Sequence, residues 1–360
     1  MKYLWEKLVE TSSDRISLLT VSWKKGEIVT NVMGKRNNSC HSTLKWHLQA
    51  ISCSILLAIL PFAIFISAPI VLYILLYTRF YPLAFLYYVW VWYDNDSRNS
   101  LERRSPRVRG WALWRYVRDY FPVRLVNTAE LDPTLSYMFC VFPHGVLSMG
   151  SGVNFATNAN NVDEIFPNHK CYLATLPYHF KLFYGRELGH ALGFCPATPK
   201  SVSNVLSRPN SVLVLIVGGA AESMYSRPGQ YTIFLKHRKG FVKMALKHGT
   251  PLVPVFTFGE PDTYDQIEFP EGSWFRRFQE YIRKIITFAP IIAYGNGPLP
   301  YRRELITVVG KPLPMEKTLN PTQEQIDDLH QKFTTELTAL FEEKKKLYIA
   351  NHENVHLVIK

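Results

Sequence analysis

The chain has 360 residues, enough for one sizeable globular domain with appendages, and its 47% apolar, 14% aromatic and 19% charged content excludes disorder over most of its length. A formal net charge of +12 attracts an anionic membrane face or a phosphorylated co-substrate. Nucleic acid is disfavoured, because no zinc-finger spacing or RNA-binding aromatic signature accompanies the basic residues. Cys40, Cys53, Cys140, Cys171 and Cys195 are scattered and never form CxxC, so neither a disulfide framework nor a metal site is expected.

Met1-Lys2-Tyr3-Leu4-Trp5-Glu6-Lys7 is too polar for the hydrophobic region of a signal peptide, and residues 1–46 are expected to form a polar cytosolic N-terminal region. Between Lys45 and Arg79 no Lys, Arg, Asp or Glu occurs, and the uncharged run resumes over 80–93. Residues 51–75 suffice for one crossing of the hydrocarbon core, which takes about 20 apolar residues. Pro61 and Pro69 can bend that piece, and Tyr81-Pro82 can start a second. Residues 47–93 are therefore expected to form a transmembrane or re-entrant helical hairpin with Arg79 near its tip, the alternative being a buried core helix. Lys24, Lys25, Lys35, Arg36 and Lys45 before it, and Arg98, Arg103, Arg104, Arg107 and Arg109 after it, place both flanks in the cytosol. Tyr87, Tyr88, Trp90, Trp92 and Tyr93 suit an interfacial belt. The sequons Asn37-Asn38-Ser39 and Asn95-Asp96-Ser97 would then stay unglycosylated.

Residues 94–360 are expected to form a cytosol-facing, membrane-associated domain. The aromatic and basic stretch 111–121 predicts a helix, either interfacial or packed on the core. The β-rich runs Tyr137–Phe142, 211–217, Leu252–Phe258 and Leu305–Val309 alternate with helical stretches, which predicts an α/β fold with a mainly parallel, buried sheet. Gly240–His248 predicts a helix stopped by Gly249. Residues 274–286 predict a helix whose single apolar face packs on the core in preference to a second membrane contact. In a last helix, Asn320 is the expected cap, with Pro321 at the first helical position and Gln323 in a capping box. Ile326, Leu329, Phe333, Leu337, Leu340 and Phe341 come after it at helical spacing.

Three constellations can carry chemistry. The first strand delivers Pro143-His144-Gly145 to its carboxyl end, where α/β folds commonly place reactive groups. His144 is a candidate base, although a lone His beside a turn also serves structural ends. Gly145 allows close approach of a substrate or of another backbone. In Val217-Gly218-Gly219-Ala220-Ala221-Glu222-Ser223, Gly218 and Gly219 leave N–H groups accessible, while Glu222 either pairs with an imidazole or is a solvated turn residue. Arg238, Lys239 and Lys243 open a basic helix suited to phosphates, or form a solvated face. Gly145-Val146-Leu147-Ser148-Met149-Gly150 reads GxxSxG, so Ser148 does not match the GxSxG nucleophile elbow. No P-loop lysine comes after Gly218-Gly219.

The ordered set of Tyr120-Phe121-Pro122, Phe142-Pro143-His144-Gly145, Gly218-Gly219-Ala220-Ala221-Glu222-Ser223, Arg238-Lys239-Gly240-Phe241, Val253-Pro254, Phe258-Gly259-Glu260, Glu271-Gly272-Ser273-Trp274 and Val308-Val309-Gly310-Lys311-Pro312 resembles the type-2 diacylglycerol acyltransferase family. That family also holds monoacylglycerol acyltransferases and wax synthases, and the likeness runs from about Leu18 onward. It implies a membrane-anchored acyltransferase domain that makes triacylglycerol from diacylglycerol, with acyl-CoA as co-substrate and no cofactor or metal. Residence in the endoplasmic reticulum membrane, with cytosolic termini, and on lipid droplets is implied with it. His144 would be the general base and Glu222 its orienter, Gly145, Gly218 and Gly219 would offer backbone N–H groups, and Arg238, Lys239 and Lys243 would take the CoA phosphates. One departure stands out, since the family's His-Pro-His-Gly is Phe142-Pro143-His144-Gly145 here, so that His144 matches the second His. Transfer to monoacylglycerol or a long-chain alcohol, an inactive lipid-droplet or membrane scaffold, and homo-oligomerisation all stay open.

Overall fold

Near-continuous apolar strands demand cover on both faces, and the runs Tyr137–Phe142, Ser211–Ile216 and Leu252–Phe258 receive it. The computed structural model describes residues 19–24, 27–32, 39–61, 67–94, 101–181, 185–286 and 290–360; the asparagines of both sequons lie outside these. Its strands in chain order are β1 (Leu19–Lys24), β2 (Glu27–Val32), β3 (Val123–Asn127), β4 (Tyr137–Phe142), β5 (Lys170–Thr175), β6 (Phe194–Pro196), β7 (Ser211–Ile216), β8 (Tyr231–Ile233), β9 (Leu252–Phe258), β10 (Asp265–Gln266), β11 (Ala293–Tyr294), β12 (Leu305–Val309) and β13 (Leu357–Ile359). The principal sheet has the order β1-β2-β3-β12-β9-β4-β7-β5-β6. From β9 to β6 every pairing is parallel, whereas β12 runs antiparallel to β9. The mainly parallel sheet is thus as expected. At its other edge, β1 and β2 come from the region expected to be a polar tail, and β2 pairs with β3 through Ile28↔Asn127 and Val29↔Val126.

The helices are α1 (Ser39–Pro61), α2 (Ser67–Tyr77), α3 (Tyr81–Tyr93), α4 (Ala112–Tyr120), α5 (Gly185–Leu192), α6 (Pro199–Leu206), α7 (Ala220–Ser223), α8 (Gly240–His248), α9 (Trp274–Ile286) and α10 (Gln323–Tyr348), of which α4 covers one face of the sheet and α6, α8 and α10 the other. Side chains alternate along β4, so Met138, Cys140 and Phe142 enter one layer with α6, α8 and α10. Tyr137, Phe139 and Val141 enter the other with Trp114, Val117 and Tyr120 of α4, which makes α4 a core helix. The predicted apolar positions of α10 are all buried, but its cap is Thr322 in a capping box with Gln325, two residues beyond the expected Asn320. Asn320 cannot cap it because the first helical turn starts only after Thr322. Helix α8 stops as expected at Gly249, in the left-handed conformation.

The position where the family's first motif His would stand is a core site. The Phe142 ring is fully buried and its centroid lies 6.3 Å from that of Phe333 on α10.

Of the uncharged run over 51–75, residues 62–66 lie outside the described residues. Helix α1 ends at Pro61 and α2 begins at Ser67, and no described helix is long and apolar enough to cross a membrane. Helix α1 docks on the domain: Cys53 is buried beside α4, Lys45 pairs with Asp119 at 3.1 Å, and Gln49 accepts from Arg302 at 2.7 Å. What does form a hairpin is α2 and α3, joined by Thr78, Arg79 and Phe80, so Arg79 sits at the tip as expected. The far end of α3 is fastened to α5, where Tyr87 donates to Glu187 at 2.9 Å, Arg186 lies over the Trp90 ring and Asp94 pairs with Arg186 and Arg103. Arg109, expected as a flanking charge, is buried and donates to the carbonyls of Phe155 at 3.0 Å and Leu192 at 2.8 Å.

Truncating a fully buried Phe costs about 3–5 kcal/mol. Phe142→Ala is therefore expected to lower the unfolding temperature of the solubilised protein by several degrees, and an unchanged transition would contradict this placement of the ring.

Candidate active site

Three neighbouring parallel strands end at the same edge of the sheet. The register pairs Phe142 of β4 with Phe256 of β9, and Val141 with Ile216 of β7. The segments after them, 143–150, 259–260 and 217–223, are far apart in sequence yet meet at one place. This is where a parallel sheet exposes its loops and collects functional groups.

Two buried glutamates grip the loop after β4. The Glu222 carboxylate accepts from the backbone N–H of His144 at 2.6 Å and of Phe234 at 2.7 Å. The Glu260 carboxylate accepts from the N–H of Met149 at 2.6 Å and of Gly150 at 2.8 Å. Burial pushes each carboxyl up to about 7 against the opposing pull of its two donors, with the Arg238 charge a further opposing influence on Glu222. The glycines make room for these acids. A Cβ on Gly218 would stand 1.9 Å from Glu222 Cδ, and one on Gly145, whose φ is +60°, would stand 2.6 Å from Glu260 Cγ. Gly219 differs, since a Cβ there would meet nothing within 4 Å, so it borders open space.

His144 is half-buried on this clamped loop, after a cis Phe142–Pro143 peptide. Its Nδ1 lies 3.1 Å from the Gly145 carbonyl and 2.9 Å from Ser223 Oγ. A carbonyl only accepts, so the favoured tautomer carries its proton on Nδ1 and leaves Nε2 as the ring's basic nitrogen. Burial holds the imidazole below its ordinary 6.5, which keeps it neutral and basic near neutrality. Ser148 Oγ donates to the His144 carbonyl at 2.6 Å, which makes it a brace of the loop.

Of the residues singled out in the sequence, His144, Gly145, Gly218, Gly219 and Glu222 are brought together. Glu222 does not orient the ring as expected. Its carboxylate meets the His144 backbone, and the side chain that meets the ring is Ser223. Arg238 and Lys243 are exposed, while Lys239 is engaged by Asp327 of α10 at 2.7 Å. Ser223 and Glu260 stand in motifs that carry the family resemblance, yet neither is given a role by the sequence. Phe258-Gly259-Glu260 ends an apolar strand just as the His144 and Glu222 motifs do, and that shared position is the signal that marks it. The described residues hold no group of His, Cys, Asp and Glu side chains able to bind a metal ion.

Gly218→Ala is expected to abolish activity by displacing Glu222, and Ser223→Ala to lower kcat about tenfold with KM little changed, because it frees a ring that substrate binding does not need. A Ser223→Ala effect confined to KM would contradict the ring-positioning role.

The diacylglycerol acyltransferase family model matches residues 73–360. The bovine 2-acylglycerol O-acyltransferase 1 is 44% identical over 78% of this chain and 86% of its own length. The Xenopus laevis diacylglycerol O-acyltransferase 2 is 40% identical over 88% of this chain and 91% of its own. Among solved structures, the 1-acyl-sn-glycerophosphate acyltransferase PlsC of Thermotoga maritima aligns over 84% of this chain and 99% of that chain at 11% identity, with a TM-score of 0.40 that does not bear on function. With a family model matched over most of its length and relatives of this similarity on both counts, the chain belongs to the diacylglycerol acyltransferase family and is an acyltransferase.

Proposed function

We propose that the chain transfers an acyl group from acyl-CoA to the free hydroxyl of diacylglycerol, forming triacylglycerol, with His144 as the general base. The observation that carries this is the clamped loop, which presents Nε2 of a neutral imidazole beside open backbone at the carboxyl edge of the sheet. Nε2 takes the acceptor's hydroxyl proton as the oxygen forms its bond to the thioester carbonyl carbon. The C–S bond then breaks, and the imidazolium returns the proton to the CoA sulfur. No protein nucleophile is needed, so no acyl-enzyme forms. The N–H groups of Gly145 and Gly219 would receive the oxyanion. Ser223 positions the ring, and Glu222 and Glu260 position the loop. Exposed Arg238 and Lys243 are free to meet CoA phosphates, and Lys239 joins them only by leaving Asp327.

Helices α2 and α3, of 11 and 13 residues, put many apolar side chains on the surface. A transmembrane or re-entrant anchor built on this hairpin accounts for that exposure. Such an anchor would hold the site at the endoplasmic reticulum membrane with cytosolic termini and allow passage to lipid droplets. A second reading, transfer to monoacylglycerol, is favoured by the 44% identity to the bovine 2-acylglycerol enzyme.

In microsomes given one labelled acyl-CoA and competing monoacylglycerol, diacylglycerol and long-chain alcohol, thin-layer separation is expected to show triacylglycerol as the main product. Dominant diacylglycerol would select the second reading, and no product at all would indicate a scaffold. His144→Ala at matched protein level is expected to lose essentially all transfer. Because a base is lost as pH falls through its own pKa, the acid limb of kcat/KM should lie below 6.5. A limb near 7 that vanishes in Glu222→Gln would instead assign the ionisation to Glu222.

A further inference from the structure

Helix α9 packs in the inverse of the orientation expected for a core helix. Trp274 is 77% exposed, Phe278 49%, Tyr281 63% and Ile285 59%, whereas Arg276 is 8% and Gln279 3% exposed. At 100° per residue the four apolar residues fall within about 60° of one another, a single narrow stripe. The inward side is polar and partly engaged by its neighbours. Arg276 lies 4.8 Å above the Tyr225 ring and pairs with Glu280, and Gln279 donates to the Pro290 carbonyl at 2.7 Å. The outward stripe is therefore not a packing surface awaiting a place in this core.

We infer that α9 is a second membrane-contacting element, lying in the plane of an anionic bilayer surface with Trp274, Phe278, Tyr281 and Ile285 in the lipid. The inference rests on the reading that α2 and α3 enter the bilayer. Three observations commit the stripe to lipid. Exposed Arg277 and Lys284, seven residues apart, line one margin of it, where headgroup phosphates would stand. Its Trp and Tyr are the side chains that favour the interface between headgroup and hydrocarbon. It also belongs to an excursion tied to α1, the helix that precedes the α2–α3 hairpin in sequence. The excursion 259–304 that carries α9 returns through Arg302, which donates to Gln49 Oε1 at 2.7 Å and to the Trp46 carbonyl at 3.3 Å on α1, and whose guanidinium lies 5.1 Å from the Trp46 ring. Exposed Ile292 and Tyr294 extend the apolar surface beside the β10–β11 ribbon.

The test uses the full chain in vesicles of phosphatidylcholine with phosphatidylserine, a diazirine-bearing phosphatidylcholine, irradiation, digestion and mass spectrometry. Label is expected on peptides from both 67–93 and 274–286, the latter lost in Trp274→Asp/Phe278→Asp. With Arg277→Glu/Lys284→Glu, which alters only surface residues, label on 274–286 should fall while label on 67–93 persists. Label on 67–93 with none on 274–286 would overturn the inference and leave the anchor standing; label on neither would overturn both. A photoreactive residue at position 281 that captures a second copy of the chain instead of lipid would also overturn it.

Discussion

Everything at the site depends on two carboxylates buried where no cation reaches them directly. An isolated buried charge is costly by several kcal/mol, and hydrogen bonds to a charged group return about 1.5–3 kcal/mol each. Glu222 and Glu260 each receive two such bonds, all from backbone N–H groups, and three of the four donors belong to the loop 144–150. The acids therefore cannot be satisfied unless the loop is in place, and the loop's N–H groups cannot be satisfied without the acids. That mutual requirement fixes the backbone of His144 from one side and of Met149 and Gly150 from the other. The ring then needs only the Gly145 carbonyl and Ser223 to settle its tautomer.

Much of this is legible in the sequence because of one property of parallel sheets. Apolar runs in Tyr137–Phe142, Ser211–Ile216 and Leu252–Phe258 announce buried strands, and the loops at the carboxyl ends of such strands gather at a common edge. His144 and Glu222 stand out in that way. What pattern alone could not give is which atom of Glu222 meets which group of His144. A carboxylate far away in sequence can as well meet an imidazole as a peptide N–H, and the clearance at Gly218 decides it. The Phe142 departure likewise gains its explanation only from packing. Alternation along β4 turns that side chain into the α10 layer, so an apolar ring suits the site whatever the reactive group two residues later does.

The membrane-facing parts are less legible for a related reason. Amphipathic periodicity states that a helix has two unlike faces and leaves open which one meets protein. For α4 the apolar face packs inward; for α9 the polar face does, because Tyr225, Glu280 and the Pro290 carbonyl offer Arg276 and Gln279 partners. An uncharged run also measures hydrophobicity without stating what covers it. Over the described part of 51–75, Cys53 of α1 is buried against the domain, whereas Leu72, Tyr73 and Leu76 of α2 are exposed.

If the two acids position one loop, removing either should loosen the same object, and removing both should add little. The decisive measurement is a double-mutant cycle of Glu222→Gln and Glu260→Gln, read as kcat and KM for acyl transfer by the full chain at matched folded protein. Each single variant should lose kcat about a hundredfold with KM little changed, and the double variant should lose far less than the product of the two. Fully multiplicative losses, or kcat preserved in either single variant, would contradict a shared clamp on His144.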